Sequence, residues 1–400
     1  MEVMGFVLIT FMLVQATGNA QKIFNFSEIS INVEFPKSSN SSAFGMQVLT
    51  SIIVPALFGI IFVVGLLGNG LVIAVIIRNG HMRNSTNILI SSLAFADLTF
   101  IVFCIPLTIS IYIYQGWIWN NFLCMIYQYL TWLTVYCSVY TLVLMSADRY
   151  LAIVHPITSV NWRTRNRSLT AVYISWIALI IINLPFLINS RVLYTIPVKL
   201  ANNQTRKNYY CGNKKLVNYN EAMDGYIDDY KALFNHYFTF FLFGFLLPLS
   251  MIVILYGLLL YRISQRLNNQ QSANITRSNK KVTRLVVSVI IAFGVSWLPL
   301  HIVFLIQSTY GDPSNVAFRA FHMVANSMAY GNSMINPILY AFLSENFRTA
   351  FKKFLTCKIS PCHLSSSSEA AANGSNKNQN QELITKCEME TCLPLINSKD

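Results

Sequence analysis

Seven stretches of this chain, 52–77, 88–114, 122–147, 169–190, 232–261, 285–310 and 321–343, run for more than 20 residues with at most one charge each. At about 1.5 Å per residue, every one of them spans the roughly 30 Å of a bilayer's hydrocarbon as an α-helix. The helix is also the state in which such a segment satisfies its own backbone hydrogen bonds in lipid. Charged residues make up only 11% of the chain, against roughly 25% in soluble domains, so a soluble core does not account for the pattern. The sequence therefore predicts an all-α membrane protein, a seven-transmembrane-helix bundle.

The net charge of +13 is placed as a membrane surface requires, with nothing that marks a nucleic-acid partner. Connections after the first, third and fifth spans hold Arg78, Arg83, Arg163, Arg165, Arg167, Arg262, Arg266, Arg277, Lys280, Lys281 and Arg284. By the positive-inside rule these face the cytoplasm, which puts the amino terminus outside the plasma membrane and the carboxyl tail inside. Residues 1–20, apolar from Met4 to Val14 with small Gly18 and Ala20 before Gln21, read as a signal peptide. Residues 21–50 are then extracellular, with glycan acceptors at Asn25 and Asn40, and Asn203 offers a third acceptor on the same side.

The bundle proper covers 51–343. Residues 344–356 alternate Arg348, Lys352 and Lys353 with Phe347, Phe351, Phe354 and Leu355, an amphipathic helix suited to lying on inner-leaflet lipid. Residues 357–400 are polar and low in aromatics, the composition of a disordered cytoplasmic tail. Cys357 and Cys362 at its start suit S-acylation more readily than a metal site with Cys387, Cys392 and His363.

Polar residues within the spans mark the chemistry. Cys124, Gln128, Thr131, Val135, Ser138, Leu142, Met145 and Arg149 recur at spacings of four and three, so one helix face about 37 Å long joins an outer cysteine to an inner arginine. Asp97 is a carboxylate in mid-membrane, a functional-site hypothesis by default, with a structural hydrogen-bond hub as the alternative. Ser138, Asn332, Ser333 and Asn336 lie at similar depth, and one carboxylate among neutral oxygens suits a sodium ion or a single proton.

Phe293, Trp297 and His301 stack at spacings of four beside Pro299, and Pro248 and Pro337 add two further kinks. Such a stripe serves a core as readily as a switch. Cys124 and Cys211 both fall on the oxidising side and can pair, while Cys104 and Cys137 read as small buried side chains. Arg191 to Ile196 alternates as a strand does, so the loop it opens is expected to form a hairpin lid. Its acids, Glu221, Asp224, Asp228 and Asp229, suit either a basic ligand or plain solvation.

Taken in order, one set per span, Asn69, Leu93 to Asp97, Cys124 with Cys211, Asp148-Arg149-Tyr150, Trp176, Pro248, Phe293 to Pro299 and Asn336 to Tyr340 resemble the rhodopsin-like class of G-protein-coupled receptors. Residues 136–159 and 329–351 look more narrowly like the allatostatin-A and galanin group of neuropeptide receptors; somatostatin, opioid and kisspeptin receptors share much of both.

The resemblance implies a receptor for an extracellular peptide that activates heterotrimeric G proteins, of the inhibitory class, with arrestin as a further inner partner. It implies that Arg149, freed from Asp148 and next to Tyr150, receives the G protein as the sixth helix swings outward, with Tyr256, Asn336, Pro337 and Tyr340 rearranging around it. Trp297 would transmit the swing with Val139, Pro248, Phe293 and Pro299. Gln128, Thr131, Trp132, His301, Phe304 and Tyr330 would line the ligand pocket, and Asp97, Ser138, Asn332 and Ser333 would hold an allosteric sodium ion. Ser296 and Ala147 depart from the commoner family residues, which bears on basal activity, and Asn279 stands where some relatives carry an acid that locks the inner arginine, which implies a looser resting state.

Other classes fit poorly. A biogenic-amine receptor needs an aspartate where Thr131 stands, and an opsin needs a Schiff-base lysine, yet no lysine occurs between residues 282 and 351. A transporter is expected to line its path with several charges. Phosphate-loop, Gly-x-Ser-x-Gly and His-Glu-x-x-His patterns of enzymes are absent from the sequence.

Overall fold

The computed structural model describes residues 41–195, 198–199, 205–267, 273–311 and 315–357. The signal-peptide segment, Asn25, Asn40, Asn203 and Cys362 lie outside the described residues. Among the described residues, eight helices carry the fold: α1 (Gly45–Arg78), α2 (Ser85–Tyr114), α3 (Asn121–Val154), α4 (Arg165–Asn189), α5 (Tyr230–Ile263), α6 (Ala273–Tyr310), α7 (Val316–Leu343) and α8 (Glu345–Cys357). Among the described residues, α1 to α5 and the 287–310 part of α6 are long and apolar enough to cross a membrane. α7 is as long but more polar, because it turns Asn332, Ser333 and Asn336 into the bundle, where they are buried.

The helices start where short polar side chains cap them. Asn84 accepts from the Asn87 N–H at 3.0 Å, Asn120 from Leu123 at 2.9 Å, and Asp229 from Ala232 at 3.0 Å. Pro185, Pro299 and Pro337 sit inside α4, α6 and α7. In α5 the strain of Pro248 is absorbed one turn earlier, in a π-helical turn at Leu242–Leu246; proline has no N–H to donate to the preceding turn, so the helix widens there.

The main core gathers Val72, Leu93, Val139, Leu142, Ile252, Phe293, Trp297 and Tyr340. A second cluster of Phe58, Ile61, Phe100, Ile105 and Tyr330 fills the space among α1, α2 and α7. Polar ties cross both: Asn69 Nδ2 on α1 donates to the Ser333 carbonyl on α7 at 2.8 Å, and Trp176 Nε1 on α4 donates to Ser92 Oγ on α2 at 3.1 Å. Outside the bundle, Leu67, Ile182, Val253, Ile254 and Leu260 are each more than half exposed. An apolar belt of that extent is an aggregation surface in water and a matched surface in lipid.

Over the Cys124 end lies a β cap. β1 (Ser190–Tyr194) pairs antiparallel with β4 (Tyr209–Asn213), as the alternation in this loop predicts, with Val192 opposite Cys211. Between them β2 (Val198–Lys199) pairs with β3 (Thr205–Arg206), and β5 (Val217–Asn220) pairs with β6 (Gly225–Asp228) further on. A disulfide joins Cys211 to Cys124, and the Trp117 N–H donates to the Tyr209 carbonyl at 2.8 Å. These ties fix the hairpin to α3 and to the connection before it.

Candidate functional site

Three linked sites lie along α3. Nearest the β cap, Gln128 Nε2 donates to the Cys211 carbonyl at 2.9 Å, and Gln128 Oε1 accepts from Trp132 Nε1 at 3.3 Å. Trp132 stacks on Phe186 at 4.9 Å and meets Phe240 edge-on at 4.7 Å. Phe240 in turn lies 4.4 Å from His301, whose ring is also 5.0 Å from Phe245. His301 is 2% exposed, and neither ring nitrogen has a hydrogen-bond partner among the described residues.

The six predicted pocket residues make different contacts. Gln128, Trp132 and His301 are joined through Phe240. Phe304 stacks on Tyr237 at 4.5 Å, and Thr131 donates to the Tyr127 carbonyl of its own helix at 2.8 Å. Tyr330 belongs to the second cluster, 5.0 Å from Phe58 and 4.8 Å from Phe100. Two aromatic rings that organise this region, Phe240 and Phe245, are absent from the sequence-based site.

Below His301 the rings continue. Trp297 lies 6.3 Å from Phe293, which stacks on Phe245 at 5.9 Å, and Val139 is fully buried in the same core. Beside them is a cavity of about 10 Å³ lined by Asp97, Ser138, Phe293, Trp297, Asn332 and Ser333 among others. Asp97 Oδ2 accepts from Asn336 Nδ2 at 2.8 Å, and Asp97 Oδ1 is 3.5 Å from Ser138 Oγ. One carboxylate facing neutral oxygen donors fits a small hard monovalent cation, and a volume near the size of one water fits its radius.

At the far end of α3 the charges arrange differently from the sequence-based expectation. Asp148, expected to restrain Arg149, is held chiefly by Arg163, whose Nε donates to Oδ1 at 2.8 Å and whose Nη2 donates to Oδ2 at 3.2 Å. Ser85 Oγ donates to Oδ1 at 2.7 Å and Thr86 Oγ1 to Oδ2 at 2.8 Å. Arg149 approaches no closer than 3.6 Å to the carboxylate and donates instead to Thr86 Oγ1. Tyr150 packs edge-on to His155 at 5.8 Å. Tyr256 and Tyr340 are buried, with hydroxyls that meet no partner among the described residues.

Outside the membrane-spanning helices, Lys207 Nζ pairs with Asp224 at 2.7 Å over the Tyr194 ring, and Tyr219 donates to the other carboxylate oxygen at 2.9 Å. These contacts hold the Asp224 carboxyl below its ordinary pKa and the Lys207 amine above its own. Asp229 caps α5. Asp224 thus serves the loop itself and Asp229 the start of α5.

A family model described as 7 transmembrane receptor (rhodopsin family) matches residues 68–340. An allatostatin-A receptor of Bombyx mori is 37% identical over 313 residues, 78% of this chain and 82% of the relative. A galanin receptor type 1 of Mus musculus is 35% identical over 344 residues, 86% and 92% of the two chains. A galanin receptor 2a of Danio rerio is 34% identical over 309 residues, 77% and 79%.

Proposed function

Because the chain belongs to the rhodopsin family of seven-transmembrane receptors, we propose that it is a plasma-membrane receptor for an extracellular neuropeptide of the allatostatin-A or galanin type, and that it activates heterotrimeric G proteins. The observation that carries the reading is the unbroken path of contacts from the β cap inward. It runs from Cys211 through Gln128, Trp132, Phe240 and His301 to Trp297 and Phe293. A peptide pressing on the outer end of that path alters the packing around the Pro299 kink, the hinge on which α6 can swing.

The mechanism is a shift between two populations. A ligand that binds the outward-swung state more tightly favours it by its differential affinity, and a G protein bound inside raises peptide affinity in return. Arg149, which among the described residues donates to Thr86 and lies further from Asp148, would receive the G protein; arrestin would use the same inner face. Asp97, Ser138, Asn332 and Ser333 would hold a sodium ion, which when bound neutralises the buried carboxylate and favours the inward, resting packing.

The test is G-protein activation in cells expressing the chain, challenged with amidated neuropeptides that include allatostatin-A-like and galanin-like sequences. A potent response that Arg149→Ala abolishes, with peptide binding retained, is expected. Full signalling by the Arg149→Ala variant refutes the role of that residue. Silence of the wild-type chain across the panel, with surface expression verified, refutes the ligand class.

A further inference from the structure

We propose that the cavity between the α2–α3 connection and the β cap is an anion-selective subsite, which takes an acidic residue of the peptide ligand together with a neighbouring aromatic one. The inference rests on the receptor reading above and adds a contact outside the path through the helices. The cavity measures about 490 Å³ and is lined by Trp119, Asn121, Arg191, Leu193, Lys214 and Tyr226 among others; sites of about 300–1,000 Å³ are of ligand size. Two cations line it, and none of the loop's four acids, Glu221, Asp224, Asp228 and Asp229, does so. Lys207 has Asp224 as its partner, whereas Arg191 and Lys214 make no ion pair among the described residues.

Two neutral hydrogen-bonding groups of the walls already hold the cavity's shape. Trp119 Nε1 donates to Ser110 Oγ at 2.8 Å, and Asn121 Oδ1 accepts from the Val192 N–H at 2.8 Å. Arg191 Nη1 donates to the Ser190 carbonyl at 2.7 Å, which orients the guanidinium and leaves its other N–H groups for a ligand. Lys214 begins a one-turn helix, Lys214–Leu216, steadied by the Asn213 side chain, which accepts from the Lys215 N–H at 3.0 Å. The walls therefore offer an incoming group positive charge and the rings of Trp119 and Tyr226. A cationic group is repelled there, and a carboxylate beside a ring meets both features. The cavity also adjoins the path inward. Val192 in its wall lies opposite Cys211 in the hairpin, and the Cys211 carbonyl accepts from Gln128. A peptide engaged at Gln128 presents its neighbouring residues to the cavity at high effective concentration, which assigns the anion to the peptide.

The experiment compares the full chain as wild type, Arg191→Gln, Lys214→Gln, the double variant of these two, and Lys214→Glu, with two readouts. The first needs no agonist: saturation-transfer NMR of the solubilised chain with acetyl-Glu-Tyr-amide and acetyl-Gln-Tyr-amide. Wild type is expected to bind the acidic probe roughly fivefold more tightly than the neutral one. Each single substitution removes part of that advantage and the double variant all of it. Raising the ionic strength from about 0.05 to about 0.5 M shrinks it as well. Equal binding of the two probes by wild type overturns the proposal. So does an equal loss of both in the variants, which is what a disturbed hairpin gives. The second readout is nucleotide exchange driven by an active peptide of the panel, with Glu, Gln and Lys placed in turn at each position. At one position the Glu form should be roughly three- to tenfold more potent than the Gln form on wild type and no better on the double variant, while Lys214→Glu should favour the Lys form. Absence of any such position overturns the assignment to the peptide. A chain that answers no panel peptide defeats the ligand class instead, and the dipeptide probes still decide the cavity.

Discussion

Gly68→Ala and Gly70→Ala, two residues apart on α1, should move stability in opposite directions. An ideal Cβ at Gly68 lies 2.8 Å from Pro337 Cβ and 3.0 Å from its Cγ, where ordinary contact begins near 3.4 Å. The obstructing atoms belong to a ring that cannot rotate away, so α1 and α7 must part by about 0.6 Å or their backbones must bend. The adjacent Asn69 bond to the Ser333 carbonyl, 2.8 Å long, is stretched by either response. Overpacking of this kind costs about 1–3 kcal/mol, and replacing a helical glycine returns up to about 1 kcal/mol. With the full return, the net expectation for Gly68→Ala is a loss of up to about 2 kcal/mol. Nothing lies within 4 Å of a Cβ at Gly70, so there the gain of up to about 1 kcal/mol stands alone. At roughly 1 °C per kcal/mol for a chain of 400 residues, melting of the solubilised chain should fall for Gly68→Ala and rise for Gly70→Ala. A Gly68→Ala chain that melts at or above wild type refutes the reasoning, because it shows that the α1–α7 contact gives way without cost.

Asp97→Asn keeps an acceptor for the Asn336 amide and removes the charge, so agonist affinity should lose its dependence on sodium while potassium controls stay flat; an unchanged sodium response rejects the ion site. The Lys207–Asp224 pair predicts a pH window. Asp224 is lowered and Lys207 raised by their mutual contact, so the tie is complete from above the unfolded carboxylate value to below the unfolded amine value, roughly pH 5 to 9. It weakens as pH falls through the folded Asp224 pKa or rises through the folded Lys207 pKa. Hydrogen exchange in β5 and β6 should accelerate outside that window, and Lys207→Met should remove the alkaline arm and weaken the acid arm, which Tyr219 also supports, while leaving global melting nearly unchanged, as expected of an exposed pair.

The fold was legible because seven apolar runs leave a chain few other states in lipid, and because polar residues within them stand out as anomalies. Asp97, Arg149 and the α7 amides were found that way, and the structure joins Asp97 to Asn336 and Ser138. α7 was found as an uncharged run although its polar face makes it the least apolar of the seven, since what matters in a bundle is which side the polar groups take.

Two features could not be read in the same way. The arginines at 163, 165 and 167 are interchangeable as sequence. Which one reaches Asp148 depends on the turn between the short helix Pro156–Trp162 and α4, set by the Thr164 cap and the Arg167–Trp162 contact. In α5, residues 234–245 carry Phe234, Tyr237, Phe238, Phe240, Phe241, Phe243 and Phe245 in near-continuous order, so hydrophobic contrast between the two faces is lost. The π turn decides the matter: Phe240 and Phe245 are 3% and 4% exposed, while Phe238 and Phe243 are 46% and 45% exposed. Gly244 completes the selection, for a Cβ there would stand 2.8 Å from the Phe240 ring. A side chain at that position would displace Phe240 from its place between Trp132 and His301. A single glycine and a widened turn thus determine whether the path from the β cap to Trp297 is continuous.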